Sequence, residues 1–316
     1  MTPFPAARRG RLPLSMGLAA LVATLALTLS PVARAKSDAP TTVPGDLLVK
    51  LSSGDLLPAL QLKFRLSLVD RLGARPIFRL RVGAGVSVSQ VAGALALEPG
   101  VLVAEANALH AGPEAAKNNV WAIGTAQAYQ QQWAPAAIRL APAQAITGGA
   151  GVRVAVLDTG VDASHPLLAG RLLPGRDFVD GDLDPSETGS RADAAFGHGT
   201  HVAGLVALAA PAARIMPVRV LDASGTGDAW SLAAAMLWAV DPDGNPATDD
   251  GAHVINLSLA GSLRTRLLDN VALLAGCLAP DPTVASDDLS EPRYEDDRRR
   301  CSGFGGALVA AAAGNA

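Results

Sequence analysis

From residue 152 onward the chain alternates two hydrophobic rhythms. A nearly continuous apolar run at 152–157 is that of a strand covered on both faces, and 214–221, 253–259 and 307–313 also read as strands. Between them, residues 200–208, 229–240 and 264–274 repeat apolar positions at helical spacing. Leu232, Ala235, Met236 and Ala239 share one face of the second of these, and Leu267, Val271 and Leu274 are in register on the third. Strands alternating with helices predict an α/β fold: a three-layer parallel sheet with helices on both faces. Ligands of such sheets bind beyond the carboxyl ends of the strands. Asp158 follows the first apolar run and Asn315 the last.

The preceding stretch has a different rhythm. After Pro44-Gly45-Asp46, residues 47–51 predict a short strand, and residues 77–82 alternate so that Phe78, Leu80 and Val82 share a face. Ser87 and Gln90 form a capping-box pattern ahead of Val88, Val91, Ala92 and Leu95, which recur at helical spacing. Pro99-Gly100 ends that helix, and residues 101–105 return as a strand. Residues 36–115 are therefore expected to form a small α+β domain. A polar, Gln-containing linker is expected at 116–132, and the three-layer unit at 133–316.

Residues 1–35 predict an export signal. Arg8, Arg9 and Arg11 precede an apolar run at 12–29, and Ala33-Arg34-Ala35 supplies a small-x-small cleavage site. An uncleaved anchor is the alternative, because the run approaches spanning length; Pro13, Gly17 and the Ala-x-Ala site favour cleavage after Ala35. Arg8-Arg9 matches a twin-arginine signal only weakly. The expected location is secreted or periplasmic, with the membrane met only during export. An oxidising compartment permits a disulfide, and the chain has two cysteines, so Cys277 is expected to pair with Cys301 across a surface insertion. Two separate buried thiols are the alternative.

With 49% hydrophobic and 17% charged side chains over 316 residues, there is material for a sizeable core. The formal charge is -3, and without the four Arg of residues 1–35 the balance is 22 basic against 29 acidic side chains. That balance argues against nucleic acid as a partner.

The candidate chemistry lies in Asp158-Thr159-Gly160-Val161-Asp162 and in Gly197-His198-Gly199-Thr200-His201-Val202-Ala203-Gly204. An isolated Asp-Thr-Gly after a strand is most often a turn, and an isolated His at a helix start often only satisfies a nearby carbonyl. Together, a carboxylate and an imidazole supply the orienter and general base that a hydroxyl nucleophile needs. The glycines flanking His198 suit a backbone that approaches other segments closely.

In this order the two segments resemble the Asp and His blocks of subtilisin-like serine proteases. Residues 308–315 resemble the strand ending in that family's oxyanion-hole Asn. The resemblance implies that Asp158 orients His198, and that the Asn315 amide donates to the developing oxyanion. It also likens Gly225-Thr226-Gly227 and Ser258-Leu259-Ala260-Gly261 to the two edge strands that pair with a substrate backbone. Ala260 stands where the family usually has Gly. Residues 36–115 resemble the propeptide that assists folding and covers the cleft. The implied partners are polypeptide substrates and the chain's own propeptide, the latter cut within the linker.

The family's Gly-Thr-Ser-Met-Ala block does not occur in the 316 residues, and Ser224, Ser258, Ser262 and Ser302 all lack its setting. The expectation is an exported serine endopeptidase seen as a fragment ending before its nucleophile, inactive on its own. The alternative is a secreted pseudoprotease that binds or regulates. A metallohydrolase built on His198 and His201 lacks a His-Glu-x-x-His pattern and an evident third ligand. No cofactor is expected in the chemistry. Structural calcium is weighed at two acidic loops, Asp241-Pro242-Asp243-Gly244-Asn245 with Asp249-Asp250, and Asp177, Asp180, Asp182 and Asp184. Neither has EF-hand spacing, and solvated acidic turns are the alternative.

Overall fold

A computed structural model describes residues 41–73, 75–112, 132–245, 248–261, 263–276 and 306–312. The expected export signal, most of the expected linker, Asn315, Cys277 and Cys301 lie outside the described residues.

Residues 42–111 build an antiparallel sheet backed by two helices. Its elements are β1 (Thr42–Leu51), α1 (Leu57–Phe64), β2 (Ser67–Arg71), β3 (Ile77–Arg81), α2 (Val88–Leu95) and β4 (Val101–Ala111). β1 lies between β3 and β4, and β2 pairs with β3. Leu47, Val49 and Leu51 alternate onto one face of β1, where Phe78, Leu80 and Val82 join them against Leu57, Leu60, Ala92 and Leu95 of the helices. Burying each of these large side chains contributes about 1.5–3 kcal/mol. The Ser87 hydroxyl caps α2 by accepting from the Gln90 amide at 3.4 Å.

The second half follows the βα alternation. It comprises α3 (Trp133–Ala137), α4 (Leu140–Ile146), β5 (Arg153–Asp158), β6 (Arg176–Asp177), α5 (His198–Ala209), β7 (Arg214–Arg219), β8 (Thr226–Asp228), α6 (Ala229–Val240), β9 (Val254–Leu257), β10 (Ala260–Gly261), α7 (Arg266–Ala275) and β11 (Leu308–Ala311). Five of these strands form a parallel sheet in the order β11-β9-β5-β7-β6. The apolar run of β5 is explained by its two covered faces. Val154 and Val156 pack with Val202, Ala203 and Ala207 of α5, whereas Ala155 and Leu157 pack with residues of α6 and α7.

The expected strands at 214–221, 253–259 and 307–313 are shorter than their runs, the last spanning Leu308–Ala311. β7 ends at Arg219 because the Val220 and Leu221 amides both turn to the Asp158 carbonyl, at 2.8 and 3.1 Å. The run 253–259 ends as a strand at Leu257, and residues 260–261 form β10 in the other sheet.

The described residues all fall in one compact unit. The second face of the antiparallel sheet makes the joint, with Leu48, Leu72, Ile77 and Ala108 in the same buried cluster as Leu232, Met236, Leu267 and Val271. Among the described residues no helix is long and apolar enough to cross a membrane.

Candidate active site

Asp158 is the last residue of β5 and His198 the first of α5, forty positions apart in sequence, and both are buried. The Asp158 Oδ1 lies 2.5 Å from His198 Nδ1 and also accepts from the Thr159 amide at 2.8 Å. A carboxylate in that position accepts only, so the imidazole presents Nδ1–H to it and leaves Nε2 as the basic nitrogen.

The glycines flanking His198 have separate reasons. Gly197 caps α5 in the left-handed region at φ 90°, with open space where a Cβ would stand. Its requirement is conformational, not the close approach expected from the sequence. Gly199 does meet that expectation: a Cβ there would sit 2.1 Å from the Gly160 carbonyl oxygen and 3.1 Å from the Asp158 Cβ.

Hydroxyls tie the two segments together further. The Thr159 Oγ1 accepts from the Gly199 amide at 2.9 Å, and the Thr200 Oγ1 accepts from the Asp162 amide at 2.8 Å. Both hydroxyls donate to one carboxylate, that of Glu187, the second at 2.7 Å. Burial pushes the Glu187 carboxyl above the usual carboxylate range, the two threonine hydroxyls pull it back, and the Asp158 charge adds to the rise. Glu187 was not singled out in the sequence, where it sits in a polar loop without periodicity.

The segments likened to substrate-binding edges meet at one place. β8 and β10 flank the end of β4, which pairs antiparallel with both. His110 lies opposite Gly227 and Gly261, and Ala111 opposite Thr226 and Ala260. The Gly112 amide then donates to the Gly225 carbonyl at 2.7 Å. An extended chain thus lies between two edges and is held mainly through its backbone. Of the other residues likened to this wall, Leu259 is buried in the large core and the Ser258 Oγ accepts from the Asn256 side-chain Nδ2. The His110 imidazole is buried, which lowers its pKa, with the nearby Asp228 charge acting against the shift.

Polar residues of β4 also cap two helices of the second half. The Glu105 carboxylate accepts from the Arg266 and Leu267 amides at 3.0 and 3.1 Å, at an end of α7 where Thr265 makes no side-chain capping bond. Asn107 accepts from the Trp230 amide at 3.1 Å and donates to Asp228, the N-cap of α6. The buried Lys50 ammonium donates to Asn270 of α7 at 2.9 Å.

The two acidic loops differ. Asp177 and Asp180 are taken up by the buried Arg219 guanidinium, and Asp182 and Asp184 accept from amides within their own turns. Asp241, Asp243 and Asp250 instead bring carboxylate oxygens within 4.8 Å of one another. Burial raises the Asp241 pKa, and the Asp250 and Asp243 charges raise it further. The Asp241 and Asp250 Oδ1 atoms are buried without hydrogen-bond partners among the described residues. A hard divalent cation would satisfy both, so these three residues fit calcium. Asp249 pairs with Arg153 and lies outside that group. His201 makes no metal-ligand group with His198 among the described residues.

A family model described as the subtilase family matches residues 149–316. The chain is 41% identical over 133 residues to a thermophilic serine proteinase of Bacillus sp. (strain AK1), covering 39% of this chain and 29% of that protein. It is 39% identical over 143 residues to thermitase of Thermoactinomyces vulgaris, covering 42% of this chain and 46% of the relative. Among solved structures, fervidolysin from Fervidobacterium pennivorans, described as a keratinolytic enzyme related to subtilisin, is similar at a TM-score of 0.55 and 25% identity. That likeness covers 74% of this chain and 39% of fervidolysin. The chain spans less than half the length of each of these proteins.

Proposed function

Because this chain belongs to the subtilase family, we propose that residues 133–316 carry the proton-transfer machinery of a serine endopeptidase, and that residues 36–115 are the propeptide covering its cleft. The observation that carries the reading is the buried 2.5 Å contact between Asp158 Oδ1 and His198 Nδ1. His198 Nε2 takes the proton of a serine hydroxyl as its oxygen bonds to the scissile carbonyl carbon. The imidazolium then returns that proton to the leaving amine as the carbon–nitrogen bond breaks. Water deacylates the serine through the same base. Asp158 holds the ring in the required tautomer throughout. The Asn315 amide donates to the oxyanion, a contribution worth on the order of a hundred- to a thousandfold in turnover.

A polypeptide substrate is bound by strand addition between β8 and β10, the position that residues 109–111 take here. The end of β4 is then a tethered substrate mimic, supported by helix caps from Glu105 and Asn107, and maturation cuts the chain after it, within 116–132. The basic, apolar and small-residue pattern of residues 1–35 supports export. Asp241, Asp243 and Asp250 would hold a structural calcium, whose charge would join the loop after α6 and take no part in the reaction.

The serine block is not among the 316 residues, so the activity belongs to a polypeptide carrying that block together with them. The second reading is a pseudoprotease that retains only the binding cleft. A fluorophosphonate probe, which needs an activated serine, separates the two. The 316-residue chain should stay unlabelled. A polypeptide that includes an in-frame serine block should be labelled, and should lose about a millionfold in turnover with His198→Ala. Turnover surviving that substitution would overturn the assignment of the base, and a reading frame with no such block would favour the pseudoprotease.

A further inference from the structure

We propose that Glu187 is a positioning residue for the Asp158–His198 pair, acting through the hydroxyls of Thr159 and Thr200; the proposal rests on the catalytic reading of that pair. β5 and α5 are separate elements, and a 2.5 Å contact between their ends survives only if something fixes their separation. Two crossed hydrogen bonds do so. The Gly199 amide at the start of α5 donates to Thr159 beyond β5, and the Asp162 amide beyond β5 donates to Thr200 in α5.

Each hydroxyl has one hydrogen to give, and a hydroxyl free to rotate offers its lone pairs in no fixed direction. Glu187 removes that freedom. Its two oxygens accept the Thr159 and Thr200 hydrogens separately, Oε1 from the first and Oε2 from the second, which turns both sets of lone pairs toward the amides across the joint.

The loop that carries Glu187 is itself locked to the Asp158 side. The Val161 amide donates to the Pro185 carbonyl at 2.9 Å, and Gly160 sits so close that a Cβ there would stand 2.7 Å from the Ser186 carbonyl oxygen. Glu187 therefore reaches α5 from a strap already fastened to the turn after β5. Positioning of this kind acts on the chemical step, since an error of about 1 Å in a reacting group costs up to roughly a hundredfold.

The experiment compares Glu187→Gln, which keeps volume and removes the second acceptor oxygen, with Glu187→Ala. Kinetics are measured in the polypeptide that carries the serine block. The low-field proton NMR signal of His198 Nδ1–H is measured in the 316-residue chain, where no nucleophile is needed. The expected result is a fall in kcat of roughly ten- to a hundredfold with KM unchanged within about twofold, and a shifted or broadened Nδ1–H signal. Thr200→Val should move both readouts in the same direction. An unchanged kcat in folded Glu187→Gln, or a fall in kcat with the Nδ1–H signal unmoved, would overturn the proposal. If the unsubstituted chain lacks the low-field signal and His198→Ala retains turnover, the catalytic reading fails, and the proposal with it. Should Glu187→Ala not fold, Glu187→Gln alone decides.

Discussion

Replacing Glu105 by Ala should loosen the end of β4 from the cleft. Its carboxylate takes two backbone donors at the first turn of α7, where Thr265 offers no side-chain cap. Loss of a helix N-cap costs about 0.5–2 kcal/mol, and loss of a negative charge at a partly buried helix N-terminus costs about 0.3–2 kcal/mol. Burial opposes these gains, since it raises the Glu105 pKa more than the two amides and Arg266 lower it. Removing the carboxylate recovers that desolvation, so the net loss falls below the sum of the two, to roughly 0.5–2 kcal/mol. If the segment opens as a unit, amide exchange at residues 109–111 and 226–228 should accelerate by roughly 2- to 27-fold. Exchange in β5 and β9 should not change. Glu98→Ala serves as a control, because its pair with the exposed Lys63 is worth about 0–1 kcal/mol. Exchange at residues 109–111 that stays within twofold in Glu105→Ala would refute the claim that this cap holds the strand in the cleft.

Acid should act on the same strand through His110. Burial depresses its pKa below the usual 6.5 against the pull of Asp228, so its contribution is complete above that value and is lost as pH falls through the docked pKa. Between pH 7.5 and 5.5 the protection of the amides at residues 109–111, taken relative to their intrinsic base-catalysed exchange, should therefore fall, and His110→Gln should flatten that fall; an unaltered slope would count against it. Glu105 has the opposite sign. Its raised pKa favours docking below the usual 4.5 and that contribution is lost as pH rises, so Glu105→Gln should steepen the acid loss. Gly199→Ala should remove activity in a polypeptide with the serine block and also disturb the His198 Nδ1–H signal, because the added Cβ meets the Gly160 carbonyl oxygen at 2.1 Å. Gly261→Ala should displace β4, since its Cβ would stand 2.5 Å from His110 Nδ1, and exchange at residues 109–111 reports it. Mass spectrometry of non-reduced exported protein should find Cys277 linked to Cys301, a loop closure worth roughly 3 kcal/mol; two alkylated thiols would exclude the pairing.

What was legible in the sequence depends on whether burial or tertiary contact chose each residue. β5 could be seen because both of its faces are covered, and Asp158 stood out as the polar residue that closes it. β2 could not, because all five of its residues are exposed and Leu68 and Val69 carry no periodic signal. Glu187 was hidden for another reason: its partners are Thr159 and Thr200, and nothing within its own loop specifies them. β4 is the instructive case. Its apolar pattern predicts a strand at 101–105, but the strand runs to Ala111, and the pattern fails at Glu105, Asn107 and His110. Those residues depart from strand chemistry because of what each one faces. Glu105 and Asn107 meet the open ends of α7 and α6, where backbone amides need acceptors, and His110 lies between two glycines of the cleft walls. A polar residue in the middle of a buried strand is costly unless it is satisfied. For Glu105 and Asn107 the partners that satisfy them all belong to the second half of the chain, so the break in the pattern marks where the two halves are joined.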